Sequence, residues 1–541
     1  MGLLCLSVAF QSMWRMGSPT RYSAGFSRAI VAVDAPTEAE NPDWDPEDVR
    51  YSVIRWTPSG RQNAMGPAVV DPRSGEVISS HAIFWHNVLK LAETWYFTQA
   101  SPLDPDARKL PLPDDLMGQL LRYVVAHEVG HALGLRHNFK AHSAYGVAQL
   151  RDPLWTREWG TSASIMSYAR FNYVAQPGDG AALMPKHGPY DYFAIEWGYR
   201  DFGSEITCDG EGPLLDEMAA RQIKEPMLRF GGEDAVADLD PTVNENVLGA
   251  DPIAAADLGL RNVERVMSYL LDATSSLGSD YVKLAEHYHA LVTLRNRQLG
   301  AVAKMVGGVQ EIRYQAGRGE APFSAVPAGR QRAAIRFLLE RAFVMPARLI
   351  DSEVNRRIFP QGQSDPLQGS SVQLLSRLLR PAVFQRMSEA RQAAGGKGYS
   401  GMDMLKDLNS GLFKELDAKR PLVDLYRRDL QRNYVTLLLV SAGSVSPPGD
   451  SSDEIESEHE HRALDSEIVR RRMLSRNVTS VLAEVGEQYR LAKGRPSEYR
   501  AALRAGIAHL KARLSRAAER TTDTDTLNHL DDLIAELSNG P

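Results

Sequence analysis

Residues His127 to His137 read H-E-V-G-H-A-L-G-L-R-H and hold more chemistry than any other stretch of the chain. On a helix, His127 and His131 stand at i and i+4, one above the other on one face. That spacing suits two ligands of a tetrahedral zinc, each bound through nitrogen at about 2.0–2.1 Å. Glu128 adjoins the first ligand and places a carboxylate beside the metal, where a general base is needed. Gly134 accepts positive φ without a Cβ clash, so the helix can end there and the chain reverse. The reversal returns His137 as a third ligand and leaves a fourth position for water.

The elements around this run must position it. Met117 to Leu135 carries Leu120, Leu121, Val124 and Val125 at helical spacing ahead of the histidines, which predicts a buried helix. Pro113, Asp114 and Asp115 mark its start. Downstream, Ser164-Ile165-Met166-Ser167-Tyr168 places a methionine and a tyrosine about thirty residues past His137. Taken singly, Met166 reads as an ordinary core side chain and Tyr168 as a packed aromatic with a bonded hydroxyl.

Together, the H-E-x-x-H-x-x-G-x-x-H run and S-I-M-S-Y resemble the mark of the metzincin zinc endopeptidases. The resemblance implies that Met166 lies in a turn beneath the zinc-binding histidines. It also implies that Tyr168 reaches the metal or steadies the tetrahedral intermediate, as in the astacin-like and serralysin-like branches. Longer segments are similar to the catalytic domain of large bacterial Met-zincin proteins. They are Asp48–Trp56, Asp71–Val77, Arg122–His131, Ala169–Gly180 and Gly188–Tyr199. The likeness implies a secreted or periplasmic zinc metallopeptidase. Two departures accompany it. The large N-terminal region usual in that family is missing, and residues 1–27 read unlike the expected lead-in, so a truncated or mis-set start is expected.

Composition sets the limits. At 541 residues, with 43% hydrophobic and 24% charged side chains, the chain reads as globular and multi-domain. A net charge of −6 and a pI near 6.2 give no footprint for nucleic acid. With only Cys5 and Cys208, no disulfide scaffold and no cysteine switch is expected. No apolar run approaches the roughly eighteen residues a membrane span needs. The opening M-G-L-L-C-L-S-V-A-F-Q-S lacks a basic start, so it makes a weak signal peptide.

The expected fold class is α+β: a metzincin-like catalytic domain with a twisted mixed sheet and an active-site helix, followed by a mostly α-helical region. The expected divisions are an atypical segment at 1–28, the catalytic domain at 29–200 and a loop-rich connection at 201–250. A helical domain at 251–440, an acidic low-complexity loop at 441–462 and a helical hairpin, mostly solvated, at 463–541 complete them. Tyr51–Trp56 and Glu76–Phe84 read as strands around a turn at Asp71–Gly75. By the metzincin likeness, Glu76–Phe84 is the edge strand above the cleft, open to an extended peptide; the other reading is an internal strand with no substrate role. Ile83–Phe97 then turns helical. Asp191 reads as an N-terminal residue of the helix to Tyr199. Beyond Pro252, helical spacing runs through Leu258–Val306, Ala328–Phe343, Val372–Ala393 and Gly411–Leu439.

Other metal candidates carry less. His81, His86 and His142 read as surface or hydrogen-bonded core residues, and His187 as a residue that could line the cleft. Asp238 and Asp240 could hold calcium but lack EF-hand spacing, and His459 and His461 could capture metal only weakly. The chemistry expected is therefore hydrolysis of a peptide or protein substrate, with one zinc on His127, His131 and His137 and Glu128 as base. Tyr168 assists, while Met166 and Gly134 support the site. The alternatives left open are a zinc-binding adhesion or scaffold protein and a zinc hydrolase acting on something other than peptides. Side-chain preference and oligomeric state are not written in the sequence.

Overall fold

The computed structural model describes residues 33–48, 50–360, 364–443 and 498–538. The acidic run beyond Gly443 and the first part of the C-terminal piece, including His459 and His461, lie outside the described residues, as does Cys5. The chain forms two compact units, one of residues 1–238, 242–279 and 311–323, the other of 239–241, 280–310 and 324–541.

The first unit is built on a mixed sheet. Strand β1 (Val53–Thr57) runs parallel to β4 (Val77–Trp85), with Val53 opposite His81 and Thr57 opposite Trp85. On the other side of β4, β2 (Ala64–Met65) and β3 (Ala68–Val70) pair with it antiparallel, Ala64 opposite Phe84 and Ala68 opposite Ser80. Strand β4 is thus flanked on both sides. This corrects the expectation that Glu76–Phe84 is the edge strand. The backbone groups of β4 are taken by two neighbours, and the outer edge belongs to the β2–β3 line. A strand's own side-chain alternation reports which face is buried, not whether a partner lies beside it.

Helix α1 (Val88–Ala100) follows, starting after β4 has run on to Trp85, and packs with α2 (Asp114–Ala132). Asp114 and Asp115 occupy the first turn of α2, where the positive end of the helix dipole favours acids. The core between sheet and helices joins Phe84, Val88, Tyr96, Leu120, Val124, Val129, Met166 and Phe171. Phe171 meets Tyr96 edge-on at 4.9 Å and Tyr123 at 5.8 Å, so the segment after Met166 is anchored on both helices. Helix α3 (Pro189–Tyr199) has Asp191 in its first turn, where the sequence placed it. Helices α4 (Cys208–Ala220) and α5 (Pro252–Met267) continue the unit. A separate ribbon pairs β5 (Val309–Glu311) with β6 (Phe323–Ala325).

The second unit is helical: α6 (Val282–Ala303), α7 (Ala328–Arg341), α8 (Asp365–Leu378), α9 (Pro381–Ala393), α10 (Gly401–Leu412), α11 (Leu425–Ala442), α12 (Glu498–Ala518) and α13 (Thr524–Ser538). Three of the continuous periodic runs are broken, Leu258–Val306 among them, which is interrupted between Thr274 and Val282 by a polar turn with Gly278 at φ 85°. Pro381 opens α9 at a position where its missing N–H is harmless, so Val372–Ala393 becomes two helices. A turn around Pro421 likewise separates α10 from α11. The pair α12 and α13 buries Leu503, Leu510, Leu514, Leu530 and Leu533 completely, so it is less solvated than its charged faces imply. The α+β architecture followed by a helical region is as the sequence indicated.

Candidate metal centre

Helix α2 ends with the geometry that the motif requires. The N–H of Leu135 donates to Gly130 O at 3.0 Å and that of Gly134 to His131 O at 2.9 Å. This is a Schellman ending, and it needs the left-handed residue that Gly134 supplies at φ 81°. The turn brings His137 back onto the helix. The ring centroids of His137 and His131 are 4.6 Å apart, and those of His137 and His127 5.3 Å.

The three imidazoles are oriented from behind. His127 Nδ1 lies 2.9 Å from Ile165 O, His131 Nδ1 2.9 Å from Leu135 O, and His137 Nδ1 2.5 Å from Glu233 Oε1. A carbonyl oxygen only accepts, so Nδ1 of His127 and His131 must carry the hydrogen. Burial depresses the pKa of both, which keeps the rings neutral. In a neutral ring protonated at Nδ1, Nε2 is a bare lone pair. His127 Nε2 is buried with no hydrogen-bond partner, and His131 Nε2 lies 3.1 Å from His137 Nε2. One ligand atom from each of the three histidines falls within 4.8 Å of the others. Three lone pairs aimed into one small space, one of them orphaned and buried, fit a tetrahedral cation such as zinc.

Met166 is completely buried and meets α2 at Gly130, where a Cβ would come within 2.4 Å of its Sδ. The turn that holds it hangs on Asp191. That carboxylate accepts from Ser164 Oγ at 2.5 Å, from Ile165 N at 2.9 Å and from Gly188 N at 2.8 Å. Asp191 therefore fixes the peptide whose carbonyl orients His127. Burial lifts its pKa to about 6 against the pull of those three hydrogen bonds.

Glu128 is buried, and burial pushes its pKa to about 7, with the charge of Arg170 pulling the other way. Tyr168 stacks on His127 at 5.1 Å and leans on His137 at 4.3 Å. Its backbone sits at φ 32°, an outlier for an aromatic residue. Burial raises its pKa too, so its hydroxyl stays protonated. Between β2 and β3, Gly66 touches the helix. A Cβ there would meet Glu128 O at 2.3 Å and His131 Cβ at 2.9 Å.

The structure thus brings together His127, Glu128, His131, Gly134, His137, Met166 and Tyr168. Among the described residues, no other histidine, cysteine, aspartate or glutamate joins a group of this kind. His81 lies in the sheet beside Val53 N, and His86 packs edge-on against Trp56. His187 is largely buried, its pKa pushed down to about 4.

Four contributors went unread in the sequence: Gly66, Arg170, the Ser164 and Ile165 contacts of Asp191, and Glu233. For Glu233 a signal existed. Phe230-Gly231-Gly232-Glu233 pairs two glycines before an acid, and a Cβ at Gly232 would lie 3.0 Å from His137 O.

A family model described as Met-zincin matches residues 109–420, more than half of the chain. The chain belongs to the Met-zincin family. No curated protein and no solved structure gives a match. The matched span of this Met-zincin opens just ahead of α2 and takes in the histidines, Met166, Tyr168 and Glu233. Family and histidine triad together imply zinc binding.

Proposed function

We propose that this chain is a zinc-dependent endopeptidase with Glu128 as its general base. The observation that carries the reading is the set of three Nε2 atoms, each imidazole committed through Nδ1, beside a buried glutamate. Zinc on His127, His131 and His137 would lower the pKa of water towards about 7 and polarise a carbonyl. Glu128 takes a proton from the attacking water at a carboxylate oxygen and returns it to the leaving amine. The Tyr168 hydroxyl, protonated and close to the histidine rings, donates to the carbonyl oxygen as negative charge develops there.

An extended peptide fits the outer edge of the sheet, where the β2–β3 line passes against Glu128 and His131 at Gly66. Action outside the cytoplasm agrees with the family likeness. Among the described residues no helix is long and apolar enough to cross a membrane.

The test pairs zinc stoichiometry with cleavage of casein by wild type and Glu128→Ala. The expected result is one zinc in both proteins and chelator-sensitive cleavage that falls by about 10²–10⁴-fold in the variant. Full turnover by zinc-loaded Glu128→Ala would remove Glu128 from the mechanism. One zinc without cleavage by wild type would favour a non-catalytic binding role.

A further inference from the structure

Arg170 is the least explained charge in the first unit. Only 9% of it is exposed, yet no ion pair or hydrogen bond engages its guanidinium among the described residues, and its buried Nε has no partner. Its carbon Cζ lies 3.7 Å from the centroid of Trp95 and 4.1 Å from that of Tyr168. The two rings offset part of the cost of removing the charge from water. They engage the face of a planar cation and leave its in-plane N–H donors unused. Glu128 feels the charge of Arg170 without pairing to it. Buried cations are ordinarily paired with an anion, so this one is built for a partner that the chain does not itself supply.

The backbone supports that reading. Tyr168 and Arg170 stand at φ 32° and 59° on either side of buried Ala169, two non-glycine residues in the left-handed region within three positions. Such strain collects at sites where side-chain direction matters more than local stability. The neighbourhood is the metal centre: the ring of Tyr168 that Arg170 overlies is the one stacked on His127 and tilted against His137.

We propose that Arg170 is a specificity-determining residue that binds a carboxylate of the substrate next to the bond to be cut. The guanidinium fork matches a carboxylate with two parallel N–H···O bonds, and a site one side chain away from the histidines would receive a residue flanking the scissile peptide. The carboxylate belongs either to an acidic side chain or to the chain terminus, since both present the same two oxygens. The inference rests on the peptidase reading, and its test separates the two.

Three octapeptides serve as probes: a neutral one with both ends blocked, the same peptide with one central Gln replaced by Glu, and the neutral peptide with a free C-terminal carboxylate. Their binding to full-length Glu128→Gln protein, by equilibrium dialysis, reads Arg170 without turnover. At least one carboxylate peptide should bind about tenfold or more tightly than the neutral one. The Glu peptide or the free terminus, whichever shows the gain, names the source. Adding Arg170→Gln should bring the ratio to near one, and adding Arg170→Lys, which keeps the charge but not the fork, should leave a smaller preference. A thermal melt of each variant checks folding, and if the glutamine variant fails it, the lysine variant carries the comparison. Equal binding of all three peptides, or a preference unchanged in the variants, would overturn the proposal. Selective binding in a protein whose wild type cleaves none of the peptides would sink the peptidase reading and leave the carboxylate site standing.

Discussion

Glu233 Oε1 lies 2.5 Å from His137 Nδ1, although 96 residues separate the two along the chain. His127 and His131 lean on backbone carbonyls, which no substitution removes. The third imidazole leans on a side chain, half-exposed and delivered by a glycine pair. The third ligand is therefore the one whose orientation a point mutation can release.

Replacing Glu233 with Ala should weaken zinc binding by about 10–100-fold, and with Gln by less, since an amide oxygen still accepts. Competition against a chelator of known affinity measures this directly. An unchanged affinity in Glu233→Ala would mean that packing against Phe139 and Tyr168 suffices to hold the ring.

Asp191 should matter more for what it bonds than for its charge. Asp191→Ala leaves Ile165 N, Gly188 N and Ser164 Oγ without their acceptor and should destabilise the protein by about 2–4 kcal/mol. Asp191→Asn should cost much less. Its oxygen can take the two backbone N–H groups, while its amide donates to Ser164 Oγ. Urea denaturation of the two variants tests the ordering. Because Ile165 O orients His127, zinc affinity should fall with stability in the alanine variant.

Two glycines should resist substitution by alanine for steric reasons. At Gly66 the new methyl would press on Glu128 O, and at Gly130 on Met166 Sδ. Each should lower stability by about 1–3 kcal/mol through overpacking. Gly66→Ala should also reduce activity, because it pushes the β2–β3 line off the helix that carries Glu128. Full activity and an unaltered melt in Gly66→Ala would show that this line yields freely.

Stability should decline on the acid side of neutrality. His187, His289 and His529 have pKa values pushed to about 4 by burial, against an unfolded value near 6.5. Below 6.5 the unfolded chain binds more protons than the folded one. Their contribution is therefore whole above pH 6.5 and lost as pH falls towards 4, on the order of 2 kcal/mol each. Asp191, raised to about 6, works the other way: between the usual carboxylate range and 6 it favours the folded state as pH falls. Glu128, raised to about 7, acts with Asp191, but His127 and His131, also depressed by burial, side with the other three histidines. Five groups outweigh two, so the urea midpoint should drop from pH 7 to pH 5. In His187→Gln that drop should be shallower, and an identical slope would exclude His187 as a contributor.

Much of the centre was readable from local chemistry. The i, i+4 spacing of His127 and His131, the helix stop at Gly134 and the return of His137 lie within eleven residues, where backbone geometry alone dictates who faces whom. Helix α2 and the first-turn place of Asp191 followed from periodicity and turn chemistry in the same way, and the place of Met166 from the metzincin likeness. Contacts between distant segments were not readable. That β4 is flanked on both sides, that Gly66 lies against Glu128, that Glu233 props His137 and that Arg170 is buried without an anion each depend on packing. Side-chain pattern records burial and local turns, whereas a hydrogen bond across 96 residues or an unpaired buried charge exists only once the folded chain has excluded water around it.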